Sequence, residues 1–107
     1  TRFTMEQDFY KARLTERFGI EVLVPEEEQR EQIHRVIYEE LCQGRIEPSS
    51  KVGHLDIIET LHQRGAEAVI LGCTEIALLV NQTDTDLPLY DTTAIHAASA
   101  VARALEA

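Results

Sequence analysis

What this chain lacks bounds it first. It has two cysteines in 107 residues, Cys42 and Cys73, too few for the several bridges that staple a small disulfide-built fold. A reduced, cytoplasmic setting is therefore the expectation, and each thiol is judged on its own. Ten basic residues face nineteen acidic ones, for a formal charge of −9, and the Lys and Arg never cluster. Phosphate backbones are held by grouped cations that displace condensed counterions, and anionic bilayers by polybasic segments. Neither nucleic acid nor a membrane surface is an expected partner. The longest apolar run falls far short of the roughly 20 residues a membrane-spanning helix needs. The opening TRFTMEQDFY holds no apolar signal-peptide core and no initiator Met, which reads as a start inside a longer protein. No glycine-rich phosphate loop is present, since GCTE is neither a Walker nor a dinucleotide signature. His34, His54 and His62 fall at no metal-ligand spacing.

What is present is enough for one folded unit. The apolar fraction is 44%, and a chain of this length buries about two-thirds of its unfolded surface, sufficient for a single core. Thr4, with Gln7 three residues on, predicts a helix N-terminus. Met5, Phe9, Leu14 and Phe18 then recur at helical spacing up to Gly19. Ile20–Val24, β-branched and closed by Pro25, predicts a strand. A helix over 26–41 follows, with Glu26, Glu27, Glu28 and Glu31 on a solvated face and Ile33, Val36, Ile37 and Leu41 as its apolar stripe, stopped by Gly44. Ser49 or Ser50 caps a third helix bearing Val52, Leu55, Ile57 or Ile58, and Leu61, closed by Gly65. Ala68–Leu71 is a continuous apolar run, the mark of a strand buried on both faces. CTEIALLV predicts a turn into a short helix, and NQTDTD a polar loop. Leu87–Tyr90 predicts a third strand. Asp91 caps a last helix running to about Leu105. Alternating strands and helices imply a parallel sheet, whose ligands gather at the carboxyl ends of its strands.

Those ends direct attention to Gly72–Glu75 and Asp91–Thr93. Cys73 follows a buried strand and precedes a helical segment, where partial positive charge favours the thiolate. Thr74 adds a hydroxyl and an N–H. The simpler reading, a small buried hydrophobe, fits most free cysteines, and position favours the functional one. Glu75 reads equally as an ordinary first-turn acid. Cys42, beside Leu41 late in a helix, reads as structural or partly buried. On the last helix Ile95, Ala98, Val101, Ala102 and Leu105 form the apolar stripe, while Thr92, His96, Ser99 and Arg103 lie on another face. His96 either meets solvent or looks into a cleft beside Asp91 and Cys73. From these residues alone the defensible reading is a cysteine-dependent enzyme domain.

Three stretches go further. ILGCTEIALLV resembles the second-cysteine motif of the aspartate/glutamate racemase family, whose members need no pyridoxal phosphate or other cofactor. TRFTMEQDFY resembles that family's mid-chain segment, and LPLYDTTAIHAASAVARAL its C-terminal strand and helix. EELCQGRIEPSS resembles the helix end between them. Order and spacing agree over essentially all 107 residues. Within the family the chain is most similar to bacterial broad-specificity amino-acid racemases. The fold this implies is α/β: a flavodoxin-like parallel-sheet lobe flanked by helices, one lobe of a two-lobed, pseudo-symmetric racemase. Residues 1–107 would form the second, C-terminal lobe, lacking the strand that leads into Thr1, and the first lobe would be absent.

The chemistry the resemblance implies is two-base proton transfer at Cα of a small amino-acid substrate. Cys73 would be one acid/base residue, with Glu75 and His96 tuning or orienting it. Thr74 would hold the substrate carboxylate, Thr4, Thr92 and Thr93 would line the pocket, and Arg45 would meet a side-chain carboxylate. The missing lobe would supply the opposing acid, and the intact protein is expected to be a homodimer. Two other readings stand beside this one: a related carbanion enzyme of hydantoin-racemase or arylmalonate-decarboxylase type, and a non-catalytic fragment that only self-associates.

Overall fold

The computed structural model describes residues 1–106. The first expected helix is two. α1 spans Arg2–Glu6 and α2 spans Asp8–Phe18, divided at Gln7, whose extended backbone (φ −81°, ψ 136°) interrupts the ladder. Thr4 therefore lies within α1, and Thr1 takes the N-cap place. Gly19 ends α2 at φ 65°, a conformation a side chain would strain. Ile20–Val24 runs without turn or bend but joins no ladder, so the strand expected there is unpaired.

α3, Glu27–Glu39, begins at Glu26, whose N–H donates to Gln29 Oε1 at 3.1 Å, and carries Glu27 and Glu28 against the positive end of its dipole. Its expected stripe is the buried one: Ile33, Val36 and Ile37, continued by Leu41 in a 3₁₀ turn at Leu41–Gln43. Cys42 stands on that turn exposed, not half-buried. α4, Pro48–Gln63, starts two residues earlier than its serines suggest. Pro48 occupies the first turn, where its missing N–H has no intrahelical partner to lose. Its buried face is His54, Ile57, Ile58 and Leu61, an i, i+3, i+4, i+7 series that leaves Val52 off the stripe and 59% exposed.

β1, Val69–Leu71, and β2, Leu89–Asp91, pair in parallel with Leu71 opposite Asp91. Among the described residues these two strands are the whole sheet, where three were expected. The run at 68–71 is not buried on both faces either: Leu71 is buried but Ile70 is 41% exposed, because the far edge of β1 has no neighbour. The β1–β2 connection holds a 3₁₀ turn at Ile76–Leu78 and another at Gln82–Asp84 in place of the expected short helix. Leu79 and Val80 between them, with Leu87, drop onto α3 and α4 and complete the core, in which Ile37 and Val80 are the most deeply buried side chains. Lys51 Nζ meets Asp84 at 3.0 Å and ties α4 to that connection. α5, Thr92–Ala104, is capped by Asp91 as expected but buries none of its residues. Its stripe of Ile95, Val101 and Leu105 faces solvent, since no other described element lies over it.

Candidate functional site

The sheet delivers the site. Leu71 ends β1 in the core, Gly72 follows in the open, and Cys73 sits half-buried, packed against the core. The backbone N–H groups of Glu75 and Ile76 lie beside its thiol and favour its ionised form. Burial pushes the thiol above its ordinary 9.0. Those two N–H groups pull it down, and the Glu75 carboxylate adds to the rise. The expectation of a helix behind Cys73 is thus corrected. A single 3₁₀ turn has little dipole to offer, the stabilisation of a thiolate comes from individual N–H groups, and desolvation outweighs them.

Around this thiol the fold gathers part of the expected set. A Cβ at Gly72 would touch Thr4 Cγ2 at 3.9 Å, so α1 lies over the end of β1. Thr92 Oγ1 donates to the Leu71 carbonyl at 3.2 Å and pins the start of α5 to the same strand end. Asp91 Oδ1 accepts from the Thr93 and Ala94 N–H groups at 3.1 and 3.2 Å, the usual cap of a first helical turn. Thr74 is exposed beside the thiol, and Thr93 is exposed on the first turn of α5. Thr4, Cys73, Glu75 and Thr92 therefore share one strand end.

Two expected members do not join them. His96 is exposed on α5, and among the described residues no hydrogen bond connects it to Cys73 or Asp91. Arg45 is exposed and paired with Glu47 at 3.1 Å, with no described tie to the strand end. Conversely, the Ile76 N–H and the Thr92–Leu71 bond escaped sequence reasoning. Each depends on which segments meet, and no local pattern encodes that. Among the described residues no group of three His, Cys, Asp or Glu side chains is placed to hold a metal. No helix described is long and apolar enough to cross a membrane.

A half-buried thiol at the carboxyl end of a parallel strand, with hydroxyls of α1 and α5 beside it, is what this small α/β fold gathers at one strand end. Comparison places it. The family model for Asp/Glu/Hydantoin racemase matches residues 1–100, and the chain belongs to that family. Its structure is similar to the crystal structure of a candidate Asp/Glu racemase from Yersinia pestis, with TM-score 0.92 and 51% identity over 99% of this chain. It is also similar to an aspartate racemase homologue from Pyrococcus horikoshii OT3, with TM-score 0.85 and 38% identity over the same share. The chain spans 46% of the length of each.

Proposed function

We propose that this chain is the second, cysteine-bearing lobe of a cofactor-independent amino-acid racemase. The observation that carries the reading is the Cys73 thiol just past the end of β1, half-buried, with Thr92 bonded to that same strand end. The α-proton of an amino acid is a very weak acid, so a site that removes it must stabilise negative charge as it grows on the substrate carboxylate. It must also present a base and an acid near their working pKa values. The Cys73 thiolate takes the α-proton, the electron pair delocalises into the carboxylate, and an acid on the opposite face returns a proton to Cα. In the reverse direction the protonated Cys73 is that acid, a role its raised pKa suits. Thr74 holds the carboxylate, Thr4, Thr92 and Thr93 line the pocket, and Glu75 sets the thiol's charge balance. His96 and Arg45 enter only if the rest of the protein draws them in.

The opposing acid belongs to the missing lobe, so the 107-residue chain alone is inactive, and the intact enzyme is a cytoplasmic homodimer. The experiment is exchange of the Cα proton of L- and D-aspartate and glutamate in D₂O by the full-length protein. The wild type incorporates deuterium, and Cys73→Ser loses that incorporation or confines it to one enantiomer. Unchanged exchange in the serine variant refutes the role of Cys73. Racemisation by the isolated chain refutes the division of the site between lobes.

A further inference from the structure

α1 is too short to stand alone. It has five residues, buries none of them, and takes no side-chain cap from Thr1. A first helical turn costs more in ordering than its hydrogen bonds return, so the place of α1 is set by what it touches. At its C-terminal end Met5 packs against the core, and Glu6 pairs with Arg30 of α3 at 3.0 Å. At its N-terminal end the principal contact is His34, also on α3. The Arg2 N–H has no acceptor within so early a turn, and it donates to His34 Nδ1 at 3.2 Å. Two aromatic neighbours fix the plane of that ring: Phe3 stands edge-on with centroids 5.6 Å apart, and Tyr38 lies at 4.7 Å. Arg2 also pairs with Glu31, but so exposed an ion pair contributes little.

We propose that His34 is a positioning residue, whose neutral Nδ1 holds the Arg2 N–H and thereby seats Thr4 over the strand end that carries Cys73. Thr4 is two residues along α1 from Arg2, and its Cγ2 lies 3.9 Å from where a Cβ at Gly72 would stand. Attached only through Met5 and Glu6, α1 is free to pivot. Attached through Arg2 as well, it is not, and Thr4 lies between the two attachments. The part Thr4 plays in catalysis rests on the function proposed above; the seating of α1 does not.

The bond dictates the state of the ring. A backbone N–H only donates, so Nδ1 is bare and the proton of the neutral imidazole is on Nε2. A protonated ring has no lone pair at Nδ1 and cannot serve. His54 presents the reverse arrangement: its Nδ1 lies 3.1 Å from the Ser50 carbonyl, which only accepts, so there Nδ1 carries the proton. The two imidazoles of α3 and α4 are therefore opposite tautomers.

The test uses the full-length protein and two variants. His34→Phe keeps a ring beside Phe3 and Tyr38 but loses the acceptor, and His34→Asn sets an amide oxygen where Nδ1 stood. In the wild type, ring-nitrogen resonances should show His34 bare at Nδ1 and His54 bare at Nε2. Met5 and Gln7 donate to the Thr1 and Phe3 carbonyls. Their amide exchange should rise roughly two- to tenfold in His34→Phe, the loss of one hydrogen bond, with exchange across α3 unchanged, and His34→Asn should restore it. Deuterium incorporation into aspartate or glutamate should fall by a similar factor in His34→Phe, but no further when Thr4→Val is already present, because both changes then remove one contact. A proton on His34 Nδ1, unchanged exchange of Met5 and Gln7 in His34→Phe, or losses that multiply in the double variant overturn the proposal. The expected tautomer and exchange in a protein that incorporates no deuterium uphold the seating of α1 and remove the racemase reading alone.

Discussion

Replacing Asp91 by alanine isolates how the α5 side of the site is held. α5 buries none of its thirteen residues, so packing contributes little to its formation. A helix of that length is marginal on its own in water. Two local devices hold it: the Asp91 carboxylate accepting from Thr93 and Ala94, and Thr92 Oγ1 bonded to the Leu71 carbonyl. Loss of an N-cap costs about 1 kcal/mol, or about a fivefold fall in the ratio of formed to frayed helix. The core of α3, α4 and residues 79–87 is separate from α5, so global stability moves far less. In the isolated chain Asp91→Ala should raise amide exchange across Thr93–Ala104 by about fivefold, while the denaturant midpoint followed by protection of α3 stays nearly fixed. Equal losses at α5 and α3 would refute the reasoning, because α5 would then belong to the cooperative unit. Unchanged exchange in α5 would refute it from the other side.

Three further outcomes test other parts of the structure. Ile37→Ala, at a site 1% exposed, removes buried volume where α3 meets the core and should destabilise the chain by about 2–5 kcal/mol in urea titrations; a loss below about 1 kcal/mol contradicts the placement of the core. The rate of Cys73 alkylation by iodoacetamide should titrate with a midpoint above the ordinary 9.0. A midpoint below 9.0 contradicts the dominance of burial. His54 has its pKa lowered, first by burial, with the Ser50 carbonyl and Glu40 opposing. The folded state therefore binds fewer protons than the unfolded one below 6.5. The contribution of neutral His54 is full above that pH and fades as pH falls toward the lowered folded value. Urea midpoints measured from pH 7.5 to 5 should drop more steeply for the wild type than for His54→Gln; parallel curves refute it.

Where side chains and their consequences lie on one element, the sequence was legible. The stripe of Ile33, Val36, Ile37 and Leu41 is the buried face of α3, since one helical period decides it. Gly19 and Gly44 adopt the left-handed stops expected of them, and Asp91 caps α5. The motif GCTE did mark the end of a strand in the core. What failed was relational. Gln7 breaks the first helix with no proline or glycine to announce it, and Pro48 displaced the serines as the start of α4. Ile20–Val24 has the composition of a strand, but a ladder needs a neighbour. The stripe of α5 has the right period, but periodicity names a face to be covered and does not supply the cover. At the site the same division holds. Cys73, Thr4 and Thr92 are brought together by β1, α1 and the register of β2. His96 and Arg45 remain in solvent, because no described element encloses them.

The two uncovered faces cannot have one cover. A groove follows the free edge of β1, and α5 leaves from β2, the strand on the opposite side. Filling the groove along β1 leaves Ile95, Val101 and Leu105 in water. Any cover for those residues is a second apolar surface. That surface must approach the carboxyl ends of the strands, because Thr92 and Cys73 stand at the base of α5. A body seated on α5 thereby closes over the thiol from the face that the sheet leaves open. If Cys73 acts as proposed above, the acid that returns a proton to Cα stands on that face. Under that proposal, whatever buries the stripe of α5 is also placed to carry the second acid/base group.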